Sequence, residues 1–190
     1  MGSIINYRFY FTEDRPAWFL EKEKAGGGML FNLGVHRMAV VRSVVPGEEI
    51  LVKASVGFFR RGCEVEGNGM IFIGYPDGTA VVLEECGYLG VPEGLNGGMH
   101  FTFENGILGD VAGNLWISDR KGNVERPNLS SPPGGPYQPL YEEMLSAIKE
   151  DREPWPGIVQ GAKDVRVILA AYESARTGQQ VELRGPEWEV

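Results

Sequence analysis

The chain has 190 residues, 43% of them apolar, and a formal charge of −8 at pH 7. That length suits one sizeable core and would cramp two independent ones, so a single domain over residues 1–190 is expected. The acidic balance and the lack of any Lys/Arg run exclude a nucleic-acid footprint, and no apolar run reaches the roughly 18–20 residues that span a bilayer.

The opening Met1-Gly2-Ser3-Ile4-Ile5-Asn6 lacks the basic and apolar regions of a signal peptide, which predicts a cytoplasmic protein. Two cysteines, Cys63 and Cys86, are too few for a disulfide framework and suit a reducing compartment. With only His36 and His100, and neither Cys-x-x-Cys nor His-x-x-x-His spacing, no metal site is expected.

Ile5, Tyr7, Phe9 and Phe11 alternate with Asn6, Arg8 and Tyr10, the period of a strand, so the chain starts in a sheet. Glu13-Asp14-Arg15-Pro16 breaks it, and residues 17–24 predict one or two helical turns with Trp18 packed inward. Gly26-Gly27-Gly28 then opens into a helix. Its apolar residues, Leu30, Leu33, Met38, Val41 and Val45, keep i, i+3/i+4 spacing until Pro46-Gly47 stops it. On another face Asn32 and His36 stand one turn apart, with Cβ atoms roughly 5–6 Å apart in a regular helix. Amide and imidazole then form a proton-handling pair. A lone histidine is most often a capped residue at a core edge. What singles out His36 is the glycine run leading into the first turn, where unpaired N–H groups and the positive end of the helix dipole lie. The glycines read equally as a hinge or as a place where another group approaches the backbone closely.

Residues 50–60, 68–75 and 79–86 carry β signal, with Pro76-Asp77-Gly78 as a hairpin turn. Across that hairpin Cys63 and Cys86 fall out of register and remain thiols. Residues 99–104, 107–111 and 115–118 follow, parted by Glu104-Asn105-Gly106 and Ala112-Gly113-Asn114, and strands in series predict an antiparallel meander. Residues 119–139, centred on Ser130-Ser131-Pro132-Pro133-Gly134-Gly135-Pro136, read as a long surface loop. Pro139 suits the first turn of a helix with Leu140, Met144, Leu145 and Ile148 as its buried stripe, ended by Pro154. A helix over 158–177 presents Ile158, Ala162, Val165, Ile168, Leu169, Tyr172 and Ala175 on one face and stops at Gly178, and 179–183 return as a short strand.

The fold class is α+β, an open, mostly antiparallel sheet with helices packed on one face. Met70-Ile71-Phe72-Ile73 and Ala80-Val81-Val82-Leu83 are apolar at both alternating positions. The face without helices is therefore expected to meet a second copy, giving a homodimer or higher homo-oligomer. A Gly-x-Gly-x-x-Gly fingerprint, a P-loop and a Gly-x-Ser-x-Gly elbow are all missing from the sequence, and Glu84-Glu85, neighbours on a strand, face opposite ways. The chain is therefore expected to bind no cofactor itself and to hold no self-sufficient nucleophilic or two-carboxylate site.

Arg15-Pro16-Ala17-Trp18, the block from Ala25 through Gly26-Gly27-Gly28 to Gly34-Val35-His36, and Arg42 resemble the start of the C-terminal domain of the glucose-fructose oxidoreductase/inositol dehydrogenase/MocA (Gfo/Idh/MocA) family. Met144-Leu145-Ser146-Ala147-Ile148 followed by Pro154, and then the stretch from Ala170 to Gly178, resemble its end, so the similarity runs from about Tyr7 to Leu183. The resemblance implies a dihydrodipicolinate reductase-like or glyceraldehyde-3-phosphate dehydrogenase-like C-terminal domain. Such a domain supplies the substrate pocket and oligomer interface of an oxidoreductase acting on a hydroxyl of a sugar, cyclitol or similar polyol, while a separate Rossmann domain binds NAD or NADP. It implies His36 as the active-site acid/base, with Asn32, Arg15 and Gly28 around the substrate; imidazole titrates near neutrality. This sequence has Asn32 where many members carry aspartate, and Ala39 where another is frequent. Asn32 orients a hydroxyl or imidazole without stabilising an imidazolium by charge. The family's Rossmann domain and its lysine have no counterpart in these residues. The chain alone is then expected to be catalytically silent; the alternative is a stand-alone ligand-binding or interaction module.

Overall fold

The computed structural model describes residues 1–7, 15–58, 61–87, 97–111, 113–129 and 132–190. Strand β1 (Gly2–Tyr7) is followed by a 3-10 turn (Ala17–Leu20), the single-turn helix α1 (Lys22–Ala25), and a π-helical turn (Leu30–Gly34) continuous with α2 (Val35–Val44). Next come β2 (Leu51–Gly57), β3 (Asn68–Gly74), β4 (Ala80–Cys86), β5 (Gly97–Phe103), β6 (Gly106–Val111), β7 (Asn114–Asp119) and β8 (Val124–Glu125). Helices α3 (Gln138–Glu150) and α4 (Ile158–Thr177) and strand β9 (Val181–Glu182) complete the described elements. Phe9 and Phe11 of the first expected strand, Arg60, Ala112 and Ser130-Ser131 lie outside the described residues.

The sheet order is β8-β7-β6-β5-β1-β4-β3-β2-β9. This corrects the simple meander. Strand β1 inserts between β4 and β5, parallel to the first and antiparallel to the second, and parts the meander into two halves. Tight turns fix which strands are sequential neighbours but leave a strand without such a turn free to pair elsewhere. The Pro76-Asp77-Gly78 hairpin is present, with Gly78 at φ 84°, Gly74 opposite Ala80, and the Asp77 carboxylate accepting from the Thr79 N–H. Cys86 stands opposite Asn68 rather than Cys63, and both cysteines are free thiols. The expected surface loop also carries β8, a short addition to β7.

Helix α4 lies over β2 and against α2, and the π-helical turn lies over β4. Leu30, Met38 and Val41 meet Val167, Ile168 and Ala171 above Val52, Ile71, Ile73, Val81 and Leu83. Ile71 and Ile73 are fully buried, while Met70 and Phe72, on the opposite face, are 49% and 42% exposed. The far side of the sheet thus presents apolar side chains, as the two-sided pattern predicts.

Three packing expectations are corrected. Helix α4 buries Asp164, Arg166, Val167, Ile168, Ala170, Ala171 and Ser174, whereas Ile158, Ala162 and Leu169 are exposed. Small residues let α4 approach closely, and Asp164 and Arg166 enter because ionic partners await them, two effects that a hydrophobicity stripe does not register. In α3, Leu140, Met144, Leu145 and Ile148 are all at least half exposed and only Ala147 is buried. Amphipathicity specifies that a face seeks cover without specifying what supplies it. Trp18 is 46% exposed and tilts against Phe19, with ring centroids 4.1 Å apart.

Candidate functional site

The glycine run is met closely by Glu66 and Tyr172. The Glu66 carboxylate accepts the N–H of Gly28 at 2.8 Å and of Leu30 at 2.9 Å, and its backbone carbonyl accepts that of Met29 at 3.2 Å. Three successive amides at the helix entrance, which would otherwise lack partners, are satisfied by this single residue. The Tyr172 hydroxyl, from α4, donates to the same carboxylate at 2.8 Å. Burial, and then the neighbouring Glu66 charge, push the Tyr172 phenol well above its ordinary range. The glycines follow from this closeness: a Cβ on Gly28 would lie 1.8 Å from the Glu66 carbonyl oxygen, and one on Gly27 2.1 Å from the Tyr172 hydroxyl. Of the two readings of the run, close approach is the one seen. Gly28 is buried with its amide committed to Glu66. Nothing in sequence ties Glu66 to the glycines, since it lies 38 residues further on.

His36 lies in the first turn of α2 and is exposed, and Asn32, half-buried, lies in the π-helical turn before it. The π turn departs from the regular helix that the one-turn spacing of Asn32 and His36 assumes: wider turns shift the angle between residues four apart. Arg15 is half-buried, its guanidinium carbon 5.4 Å from the centre of the Phe19 ring.

Arg37, directly after His36, reaches the sheet, where its Nε–H donates to the Glu85 carboxylate at 3.2 Å. Glu85, at the carboxyl-terminal end of β4, is fully buried, and its second oxygen accepts from the Asn6 amide of β1. Glu84 faces the other side of the sheet and accepts from the Tyr7 hydroxyl at 3.1 Å, which agrees with the strand geometry expected of the pair. Sequence reasoning missed Glu66 and Glu85 as site-shaping groups. For Glu85 a carboxylate in an apolar strand was the only signal, and it named no partner; Glu66, in the loop before β3, carried none.

Arg42 is structural. Its Nε–H donates to Asp164 at 2.9 Å, and its guanidinium pairs with buried Glu49, which also meets Arg166 at 3.2 Å. Burial raises the Asp164 carboxyl despite the opposing pull of Arg42. Burial, and then Glu49, push up the Tyr75 phenol beside them. This ionic knot ties α2 to α4 at the end remote from His36.

A large open cleft, about 1040 Å³, runs along the outer side of α4 and touches Gly26, Gly27, Glu66 and Tyr172 but none of His36, Asn32, Arg15 or Gly28. Among the described residues no cluster of three His, Cys, Asp or Glu side chains could hold a metal ion, and no helix is long and apolar enough to cross a membrane.

Comparison with known proteins places these features in context. Residues 1–95 match the model described as GFO/IDH/MocA C-terminal domain, and residues 103–183 match that described as oxidoreductase family, C-terminal alpha/beta domain. The chain is 24% identical over 198 residues to a 1,5-anhydro-D-fructose reductase of Ensifer adhaerens, covering 96% of this chain and 56% of that protein. Its fold is similar to that of an aldose-aldose oxidoreductase from Caulobacter crescentus complexed with glycerol, with a TM-score of 0.79 and 21% identity, over 95% of this chain and 55% of that one. It is also similar to a levoglucosan dehydrogenase in complex with NADH and levoglucosan, with a TM-score of 0.76 and 16% identity, over 97% and 58% of the respective chains. The chain thus spans little more than half the length of the proteins it matches.

Proposed function

Because the chain belongs to the Gfo/Idh/MocA family, as the C-terminal α/β part of its oxidoreductases, we propose that it is the substrate-binding and oligomerisation part of an NAD(P)-dependent enzyme. The enzyme acts on a hydroxyl of a sugar, cyclitol or similar polyol. The observation that carries the reading is His36, exposed on the first turn of α2 beside a helix entrance that Glu66 has already satisfied. An imidazole so placed is free to serve a ligand. The dinucleotide, held by a separate Rossmann unit, supplies the hydride acceptor or donor. On this chain, His36 takes the proton of the reacting hydroxyl during oxidation and returns it during reduction. The Asn32 amide orients that hydroxyl, and Arg15 flanks the substrate. Alone, the chain has no catalytic activity.

Two exposed apolar surfaces support a role in assembly. Met70 and Phe72 on the far side of the sheet are assigned to a second copy of this chain, and the Leu140, Met144, Leu145 and Ile148 stripe of α3 to the Rossmann unit. The test is fluorescence titration of the purified chain with NADH and NADPH, with mass measured by light scattering on the same sample. No saturable binding by a stable homo-oligomer is expected. Saturable micromolar binding would overturn the reading, because the chain would then carry a cofactor site of its own.

A further inference from the structure

Arg37, Glu85 and Asn6 form a network that the fold does not need for packing. Burying a carboxylate costs several kcal/mol even after pairing, and apolar side chains of similar volume are often as stable or more so. Glu85 nevertheless sits fully buried at the end of β4, with Asn6 donating to one oxygen and Arg37 Nε–H to the other. The two strands involved, β1 and β4, are parallel neighbours, so Asn6 and Glu85 lie side by side on the helix face of the sheet. That same face continues across β5 and β6 as Met99, which packs against the main core, and Asp110, which is half-buried. Arg37 approaches Glu85 through Nε alone. Neither of its Nη groups donates a hydrogen bond among the described residues, and the side chain is 26% exposed.

We propose that Arg37 is a specificity-determining residue for the substrate: held by Glu85, whose other oxygen accepts from Asn6, it offers its two Nη groups as a fork for a carboxylate borne by a polyol. This rests on the functional reading above and adds the substrate class, a sugar acid rather than a neutral sugar. The planar guanidinium matches two carboxylate oxygens with two parallel N–H donors, a geometry a lone hydroxyl does not fill. Glu85 neutralises the guanidinium in the empty state and fixes its plane. Arg37 immediately follows His36, so a bound acid would be anchored at the turn that carries the proposed proton acceptor.

D-gluconate and D-glucitol are a suitable probe pair, since they share a six-carbon polyol chain and differ at the end that carries the carboxylate. Isothermal titration of the purified chain is expected to show gluconate binding at least about tenfold tighter than glucitol, the scale of one charge-assisted fork. Arg37→Gln alone would remove a cation from beside the buried Glu85 charge. The informative variant is therefore Arg37→Gln with Glu85→Gln, which keeps side-chain volume and removes both charges. It is expected to keep its far-UV dichroism and lose the preference for gluconate, while Arg37→Lys keeps only a fraction of it. Equal affinity for the two ligands, binding of neither into the tens of millimolar, or a folded double variant that still prefers gluconate would overturn the proposal. His36→Ala separates it from the functional reading. A gluconate preference that survives there alongside dinucleotide binding by the chain would refute that reading and leave Arg37 in place. Glucitol binding weakened by His36→Ala, with no preference for gluconate, would refute Arg37 alone.

Discussion

Replacing Glu66 with alanine strikes the residue on which the helix entrance rests. The substitution keeps the backbone carbonyl that accepts from Met29 but removes the carboxylate that accepts from Gly28, Leu30 and Tyr172. Gly28 and Leu30 are buried, so their amides lose a partner that water does not replace. Each stranded donor costs about 1–3 kcal/mol. The half-buried Tyr172 hydroxyl adds about 1 kcal/mol, since water partly replaces the bond. Loss of a negative charge at a helix N-terminus adds a further ~0.5–1 kcal/mol. Because these groups share one acceptor the losses do not add fully, and a total of about 3–5 kcal/mol is expected. With a urea slope of about 2 kcal/mol/M, the unfolding midpoint should fall by about 2 M. Glu66→Gln, which leaves one acceptor oxygen, should lose about half as much, and Tyr172→Phe about 1 kcal/mol. A double-mutant cycle between Glu66→Ala and Tyr172→Phe should show coupling, because both remove the same bond. A Glu66→Ala loss below about 1 kcal/mol at unchanged slope would refute the argument that these amides depend on the carboxylate.

Gly28→Ala should fail to give a native dichroism spectrum, because its Cβ would lie 1.8 Å from the Glu66 carbonyl oxygen, a backbone atom that cannot swing aside. Arg42→Met should lower stability by about 3–5 kcal/mol in urea unfolding, since it leaves Glu49 and Asp164 as buried charges with one partner fewer. The Glu143 carboxyl is held at about 2 by Arg152 and then by the Trp155 N–H. The stabilisation it gives the α3 to α4 connection is complete above the ordinary carboxylate value and lost as pH falls through about 2. The Trp155 amide resonance in an acid titration should follow that loss and stay flat in Glu143→Gln. Met70→Asp with Phe72→Asp should convert a homo-oligomer to a monomer by light scattering while leaving gluconate binding intact.

Element types were legible where local chemistry decides them. The Pro76-Asp77-Gly78 turn, the stop at Gly178 with φ 68° and the two-sided apolar run Met70-Ile71-Phe72-Ile73 all report on neighbours within a few residues. Pairings over long separations were not legible. Strand β1 finds β4 about eighty residues on, and nothing in the Gly26-Gly27-Gly28 run says that Glu66 will enter it. Burial of α4 was misjudged because Asp164 and Arg166 go inside only through partners on α2 and at residue 49. The stripe of α3 was read correctly as a stripe and wrongly as covered. His36 stood out in sequence because of the glycines before it. Arg37, its immediate neighbour, did not, because its interest depends on Glu85 of β4, which Asn6 of β1 meets in turn.

The position of β1 bears on how the chain reaches this structure. Its partners are residues 81–86 on one side and 97–101 on the other. Strands β2, β3 and β4 pair with sequence neighbours and can zip together locally, but β1 must wait, with both edges open, for partners that lie about eighty to a hundred residues further along the chain. Closure of such distant pairs is entropically slow, and an unpaired apolar strand invites association in the meantime. Its seat is also narrow, since a Cβ on Gly2 would lie 2.3 Å from the Phe101 ring. Arrival of β1 is therefore the step at which the two halves of the sheet become one, and at which Asn6 first meets Glu85.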